Sequence, residues 1–264
     1  MTWSPPIHDL TRPLTHDTLI ALAGRLAVGD APVKALEFSW LRSWERGDNG
    51  AQCQWTLNDH FGTHVDAPSH VVRGAASVDQ LDLTRLFGEA VVIDCSHARG
   101  RGLTGSDFAQ ARPGIRRGDI VLVYSGEEPG TPDEYLVSQT YVTPEGAQWL
   151  VDTGVHAVGV EPFGFEHVYD GVCVRHCYRP EVTDPWPAHR ICLSAGIYII
   201  EGLTNLASLA GRRVRFCGLP LPVPSSSGSP IRAIAWEDGQ ADGRCWERGR
   251  QAANCRGPLG RSCS

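Results

Sequence analysis

Residues 119–160 read DIVLVYSGEEPGTPDEYLVSQTYVTPEGAQWLVDTGVHAVGV, and this stretch decides the fold class. Its two ends, residues 119–124 and 157–160, are short runs rich in Val and Ile, which are typical of buried strands. Between them, residues 143–153 begin with a Thr cap and a Pro and end before a Gly, which predicts a helix. Residues 90–94 (AVVID) predict a further strand. Strands that alternate with helices favour an α/β domain over a sandwich.

The composition limits what this domain can be. A chain of 264 residues suits one large α/β domain, because such domains often run to about 250 residues. The hydrophobic fraction of 42% and charged fraction of 20% are close to globular averages, which excludes disordered and coiled-coil proteins. The chain has no apolar run of about 18 residues, so we expect no membrane span. Because the net charge is −6, we expect no nucleic-acid partner either.

The amino terminus and the cysteines favour one compartment. The opening residues, MTWSPPIHDLTRPL, lack the charged and apolar regions of a secretory signal, which predicts a cytoplasmic protein. Nine scattered cysteines suit reduced thiols better than a disulfide framework. Cys173 and Cys177 flank His176, but no second pair of ligands follows, so we assign no zinc site there.

Two further segments have a loop-like composition. Residues 127–133 (EEPGTPD) contain two prolines and a glycine, which predicts a surface loop. Residues 238–264 are rich in Arg, Gly and Cys and have hardly any aliphatic side chains to bury. We therefore predict one domain over residues 1–237 and a flexible tail over residues 238–264.

The residues that carry chemistry concentrate in residues 58–70, NDHFGTHVDAPSH. Histidine is the commonest transition-metal ligand, and a carboxylate supplies the negative charge that a divalent cation requires. On an extended chain, His60, His64, Asp66 and His70 would all leave from one face, because their numbers are all even. A Gly and a Pro within the segment oppose a helix. A lone histidine more often only hydrogen-bonds its neighbours, but four such groups in phase favour a metal site.

Residues 60–70, HFGTHVDAPSH, resemble the H-x-G-T-H-x-D-x-P-x-H signature of the cyclase-like metal hydrolases, which include bacterial kynurenine formamidase and isatin hydrolase. Three other segments agree with that family. Residues 9–11 (DLT) resemble its amino-terminal strand, residues 201–206 (EGLTNL) its E-x-L-x-N-L helix start, and residues 228–233 (GSPIRA) its closing strand. The resemblance extends over roughly residues 7–237.

The resemblance implies a fold, an assembly and a metal centre. The fold is the swivelling β/β/α domain, here a single α/β domain with a mixed sheet, and the family usually forms homodimers. The cofactors are two divalent metal ions, zinc or manganese. His60, His64 and Asp66 would hold one ion, and His189, which stands twelve residues before Glu201, would hold the second. Asp66 and Glu201 could bridge both ions.

The resemblance also implies an activity, in which His70 is the proton shuttle. Water activated at the metals would hydrolyse a carbon–nitrogen bond in a small-molecule substrate, such as an aryl formamide, a lactam or a cyclic amide. Opening of a lactone or an ester and a polyketide-type cyclisation are the alternatives on the same site. A non-catalytic ligand-binding protein is disfavoured, because all six candidate site residues are present.

The substrate-binding residues stay open at this stage. Kynurenine formamidases carry a Trp-Pro-Gly element after the first strand, and residues 14–38 of this chain contain no Trp. Trp40 and Trp44 are the candidates to replace it. The sequence therefore predicts the class of reaction more firmly than the substrate.

Overall fold

A computed structural model provides the architecture of the chain. It describes residues 6–15, 27–28, 31–32, 36–126, 139–166, 184 and 186–237. Three predictions lie outside the described residues, namely the loop at 127–133, the Cys173–Cys177 cluster and the tail at 238–264.

The elements of the described residues are mostly short strands. The strands are β1 (Ile7–Asp9), β2 (Ala27–Val28), β3 (Ala31–Pro32), β4 (Leu36–Arg42), β5 (Gln52–Leu57), β6 (His64–Asp66), β7 (Phe87–Asp94), β8 (Gly102–Leu103), β9 (Ile120–Tyr124), β10 (Tyr141–Val142), β11 (Ala157–Val160), β12 (Tyr198–Glu201), β13 (Arg212–Cys217), β14 (Gly228–Pro230) and β15 (Ile234–Trp236). The α-helices are α1 (Gly105–Gln110), α2 (Pro144–Thr153) and α3 (Pro187–Ser194). Single turns of 3₁₀-helix lie at Trp44–Arg46, Pro68–His70, Val78–Gln80, Leu83–Arg85, Ser96–Ala98 and Ala207–Leu209.

Nine strands form the central sheet, in the order β1-β15-β13-β7-β9-β11-β12-β6-β14. The inner strands β7, β9, β11 and β12 are parallel, whereas their neighbours on both sides run antiparallel. The predicted α/β class with a mixed sheet is therefore confirmed. Three pairs of strands lie apart from this sheet: β8 with β10, β2 with β3 and β4 with β5.

The central residues of the inner strands are apolar because both faces of the sheet are buried there. In β7, Val91 and Ile93 face the side that α1, α2 and α3 cover, while Ala90 and Val92 face the opposite core. The predicted strands at 90–94, 119–124 and 157–160 correspond to β7, β9 and β11. No helix of the described residues is long and apolar enough to cross a membrane.

The predicted helix at residues 143–153 is confirmed as α2. The Thr143 hydroxyl caps its first turn by accepting a hydrogen bond from the Gly146 N–H at 3.0 Å. Gly154 ends the helix with a φ of 77°, in the left-handed region that glycine adopts at no steric cost. Helix α2 packs beside α3, and α3 carries His189.

Three expectations about the site segments need correction. Residues 60–70 are extended only over β6, because Pro68 starts a 3₁₀ turn that ends at His70. Glu201 is the last residue of β12 and not the start of a helix, and the nearest helical turn after it is the 3₁₀ turn at Ala207–Leu209. The strand expected over residues 228–233 is shorter than predicted, because β14 ends at Pro230.

Candidate metal centre

Strand β6 delivers two of the predicted ligands. Side chains alternate along a strand, so His64 and Asp66 lie on one face while Val65 packs into the core on the other. His64 is 3% exposed and Asp66 is 1% exposed. In the antiparallel pair with β12, His64 stands opposite Glu201, which brings a second carboxylate to the same place.

His60 reaches this face from the turn that precedes β6. Its Nδ1 lies 2.7 Å from Asp66 Oδ1, and its Nε2 lies 2.9 Å from Ser227 Oγ. The ring packs on the backbone of Gly228, where a Cβ atom would come within 2.6 Å of His60 Cε1. A side chain at position 228 would therefore displace the imidazole.

The backbone orients the His64 ring. Its Nδ1 lies 2.9 Å from the Gly62 carbonyl oxygen. Because a carbonyl only accepts hydrogen bonds, Nδ1 carries a proton, which leaves Nε2 as the ring atom available to a metal ion. Nε2 faces Asp66 Oδ1 at 3.4 Å and Glu201 Oε2 at 3.7 Å.

A carboxylate orients the His189 ring. Its Nδ1 donates to Glu166 Oε2 at 2.7 Å, and the same carboxylate accepts a hydrogen bond from the Ala188 N–H at the start of α3. His189 Nε2 therefore points inward, 3.2 Å from Glu201 Oε1 and 3.5 Å from Asp66 Oδ2. Sequence reasoning missed Glu166, since no spacing within its own segment marks it.

Asp66 is the centre of this arrangement. Its Oδ1 faces His60 and His64, whereas its Oδ2 is buried and has no hydrogen-bond partner in the described part of the chain. The structure offers two sets of ligand atoms, each within 4.8 Å of one another. The sets are His60, His64, Asp66 and Asp66, His70, His189. Glu201, whose Oε1 accepts a hydrogen bond from the Phe165 N–H at 2.7 Å, lies beside both.

The electrostatics of the centre favour positive charge. Burial alone would lower the pKa of His64, but the carboxylates of Asp66 and Glu201 raise it to about 9. The pKa of His189 also rises well above its usual range against burial, because Asp66 and two glutamates surround it. Burial would raise the pKa of Asp66, but the neighbouring imidazoles hold it well below the usual range. Such a cluster of carboxylates stabilises protons or a metal cation.

His70 has a different environment. Its ring centroid lies 4.0 Å from that of His60 and 5.8 Å from that of His189. Burial lowers the pKa of His70, and these two histidines lower it further, to about 4, against the nearby carboxylates. The imidazole is therefore neutral at neutral pH. Its place in the second ligand set allows either metal binding or proton transfer.

Two aromatic side chains outside the motif lie against the histidines of the centre. The Trp186 ring lies 5.9 Å from His70, and Phe165 packs edge-on against His189 at 5.4 Å. Trp40 lies on β4 and Trp44 in the turn after it, and they are 58% and 65% exposed. Among the described residues, Trp186 is thus the tryptophan that the structure places against a site histidine.

Comparisons with known proteins agree with this geometry. Residues 8–167 match the family described as "Putative cyclase". The chain is 28% identical to kynurenine formamidase of Geobacillus thermodenitrificans over 207 residues, which cover 78% of this chain and 88% of that protein. It is 29% identical to isatin hydrolase of Roseibium aggregatum over 199 residues, covering 68% and 72%. Isatin hydrolase A from Labrenzia aggregata has a similar fold, with a TM-score of 0.70 at 24% identity over 89% of this chain and 94% of that one.

Proposed function

This chain belongs to the cyclase family, and we propose that it is a metal-dependent hydrolase that cleaves a carbon–nitrogen bond. The observation that carries the proposal is the Asp66 carboxylate, which lies buried between three histidines with Oδ2 unsatisfied in the described residues. A buried acceptor without a partner costs free energy, and a divalent cation on Oδ2 would remove that cost. The histidine and carboxylate donors around it fit such an ion.

We propose two divalent ions per chain, zinc or manganese, since imidazole and carboxylate ligands accept either metal. His60, His64 and Asp66 would hold the first ion. His189 would hold the second, and Asp66 and Glu201 would bridge both. When bound, the ions supply Lewis acidity, which activates water and polarises a carbonyl group.

The side chains of the protein supply proton transfer and orientation. We assign the proton shuttle to His70, because its imidazole adjoins His60 and His189 and is neutral at neutral pH. It would accept a proton from the attacking water and donate one to the leaving nitrogen. Trp186 beside His70 offers an apolar surface for the substrate. The proposed substrates are small aryl formamides, lactams or cyclic amides, as the names of the two relatives suggest.

The test combines metal analysis with a substrate panel. The purified chain, reconstituted with Zn²⁺ or Mn²⁺, should bind two equivalents and hydrolyse at least one formamide or lactam. His64→Ala should abolish both properties. His97→Ala provides the matched control, because His97 is exposed and pairs with Asp107 away from the ligand sets. A fully loaded protein that cleaves only lactones or esters, or catalyses only a cyclisation, would contradict the proposal.

We further propose that the chain works in the cytoplasm as a homodimer and that residues 1–237 contain the whole hydrolase. The four described cysteines, Cys53, Cys95, Cys192 and Cys217, are free thiols, which suits a reducing compartment. Deleting residues 238–264 should then leave turnover unchanged. A loss of turnover would instead assign that segment to the functional domain.

A further inference from the structure

The two ring nitrogens of His60 face different partners. Nδ1 lies 2.7 Å from Asp66 Oδ1, inside the first set of candidate ligands, whereas Nε2 lies 2.9 Å from Ser227 Oγ. Ser227 stands 167 positions later in the chain, directly before β14. The histidine-rich segment 60–70 therefore contacts, through the outer nitrogen of His60, a part of the chain that the motif itself does not contain.

The Ser227 hydroxyl continues this contact to a carboxylate. Its Oγ lies 3.2 Å from Asp59 Oδ2. Because a carboxylate only accepts hydrogen bonds, the hydroxyl proton points to Asp59, and the hydroxyl oxygen accepts a hydrogen bond from His60 Nε2. Nε2 then carries a proton, which leaves Nδ1 as the ring atom available to a metal ion.

The carboxylate and the hydroxyl are held by different elements. Asp59 precedes His60 in the turn before β6, where the His60 N–H donates to Asn58 Oδ1 at 2.9 Å. Ser227 precedes Gly228, and a Cβ atom on that glycine would come within 2.6 Å of the His60 ring. The two groups therefore approach the imidazole from separate parts of the chain and meet at its Nε2 edge.

The backbone around Ser227 is fixed by other contacts. The Ser227 carbonyl oxygen accepts a hydrogen bond from the Ala67 N–H at 2.9 Å, and the Ser226 carbonyl oxygen accepts one from the Val78 N–H at 3.0 Å. The next residue begins β14, which pairs with β6. The chain is thus held in place without the serine hydroxyls, so the contact between the Ser227 hydroxyl and His60 is not needed to anchor this segment.

We propose that Ser227 and Asp59 are positioning residues of the metal centre, which hold the His60 ring with Nδ1 turned toward the first ion. Groups that hydrogen-bond to the second nitrogen of a histidine ligand fix its tautomer and orientation and raise its basicity. Glu166 makes such a contact with His189 directly. Asp59 instead acts on His60 through a serine. The inference rests on the metal centre proposed above, and it does not depend on which bond the enzyme cleaves.

The expected size of the effect follows from exposure to solvent. Loss of a residue of this kind typically lowers metal affinity 10–100-fold. The Asp59 side chain is 36% exposed, so water screens its charge, and we expect a loss at the lower end, about tenfold. The Glu166 side chain is only 9% exposed, so its direct contact with His189 should matter more.

The experiment compares two adjacent serines in the full chain. Ser227→Ala removes the hydroxyl that reaches His60, whereas Ser226→Ala removes a neighbouring hydroxyl, which lies 3.0 Å from Asp59 Oδ2. Zn²⁺ affinity is measured by competition with a chelator, and the visible absorption of bound Co²⁺ reports the geometry of its ligands. Ser227→Ala should weaken one equivalent of Zn²⁺ about tenfold and shift the Co²⁺ bands. Ser226→Ala should weaken neither equivalent by more than about threefold and should leave the bands unchanged.

Two further variants separate a role in orientation from a role in folding. Ser227→Thr retains the hydroxyl, so its Zn²⁺ affinity should stay within about threefold of the wild type. Asp59→Ala removes the acceptor and should weaken the same equivalent about tenfold. Because Asp59 and Ser227 act in series on one nitrogen, the double variant Asp59→Ala/Ser227→Ala should lose little more than either single variant, whereas independent losses would multiply. Melting of the metal-free proteins verifies that each variant is folded.

The outcomes distinguish this inference from the proposed function. If the wild type binds metal, then equal losses in the two serine variants, no loss in Ser227→Ala, or multiplied losses in the double variant would overturn the inference alone. A wild type that binds no ion would defeat the metal centre and this inference with it. A chain that shows the expected differences in affinity but hydrolyses no amide would support the inference and defeat only the proposed activity.

Discussion

The two halves of the metal centre are built in different ways. One half, His60, His64 and Asp66, comes from a single short segment that ends in β6, between β12 and the edge strand β14. The other half comes from separated parts of the chain, with His189 on α3 and Glu201 at the end of β12. We call these the near half and the far half. Asp66 belongs to both ligand sets and joins them.

The difference lies in what orients each histidine. In the near half, the Gly62 carbonyl fixes the His64 ring, and no substitution of a side chain removes that contact. In the far half, the Glu166 side chain fixes His189, which depends on a loop and a helix being packed correctly. We therefore expect the near half to tolerate changes in the rest of the protein better than the far half.

The largest effect should follow from Asp66→Asn, because this change alters the residue that both halves share. Asparagine keeps the shape of the side chain but loses its charge, so the affinity for both metals should fall. The value of kcat/KM should drop at least ~10³-fold, which exceeds the 10–100-fold loss typical of residues that only hydrogen-bond to a metal ligand. Metal analysis and turnover measure these effects. Asp94→Asn is the matched control, since Asp94 is exposed, accepts hydrogen bonds from Ser96 and belongs to neither ligand set. Full metal content in Asp66→Asn would contradict the assignment.

His70→Ala should separate catalysis from metal binding in both halves. The variant should keep nearly all bound metal and lose ~10²–10⁴ in kcat, because proton transfer to the leaving nitrogen is lost. His70→Asn should be almost as slow, since an amide can form hydrogen bonds but cannot exchange a proton near neutral pH. With an aryl ester, whose leaving group departs without protonation, the defect should shrink by about tenfold or more. Loss of metal, or an equal defect on both substrates, would make His70 a ligand or a positioning group.

The sequence predicts the near half much better than the far half. The ligands of the near half are close in the chain, so residue type and spacing within residues 58–70 suffice to identify them. His189 and Glu201 converge only through the pairing of β12 with β6 and the packing of α3, which no local periodicity records. Only the family resemblance identified these two residues. Glu166 was missed because its role depends on the position of α3 and not on its own neighbours in the chain.

The same reasoning explains the errors in secondary structure. Residues 143–153 contain their own capping signals, so the prediction of α2 succeeded. Glu201 was assigned to a helix start, but its backbone continues the strand that pairs with His64. The even numbering from His60 to His70 indicated one extended face, yet Pro68 starts a turn. The four side chains still converge, because the turn brings the His70 ring to within 4.0 Å of His60, centroid to centroid.

Glu201→Gln should damage the far half and leave the near half intact. The variant keeps the shape of the side chain and its contact with the Phe165 N–H, but it removes the bridging charge. Affinity for the second metal should fall about 100-fold, as expected where a buried charge between cations is lost. Titration with Zn²⁺ or Mn²⁺ should then show one tight and one weak equivalent. Unchanged stoichiometry at micromolar metal would disprove bridging.

The smallest effect should come from Glu166→Gln, because this change alters the hydrogen bond that orients His189 and leaves every proposed metal ligand in place. Glutamine can still accept a hydrogen bond from His189 Nδ1 through its amide oxygen. The affinity for the second metal should therefore fall only about tenfold, which is the lower end of the range for residues that hydrogen-bond to a metal ligand. Glu166→Ala removes the acceptor and should approach a 100-fold loss. Both variants also lose charge at the start of α3, which costs about 0.3–1 kcal/mol of stability. The melting temperature should therefore shift by a similar amount in Glu166→Gln and Glu166→Ala. The affinity for the second metal should differ between the two variants, and the affinity for the first metal should change in neither. Equal affinities in Glu166→Gln and Glu166→Ala would show that Glu166 supports the helix and does not orient the histidine.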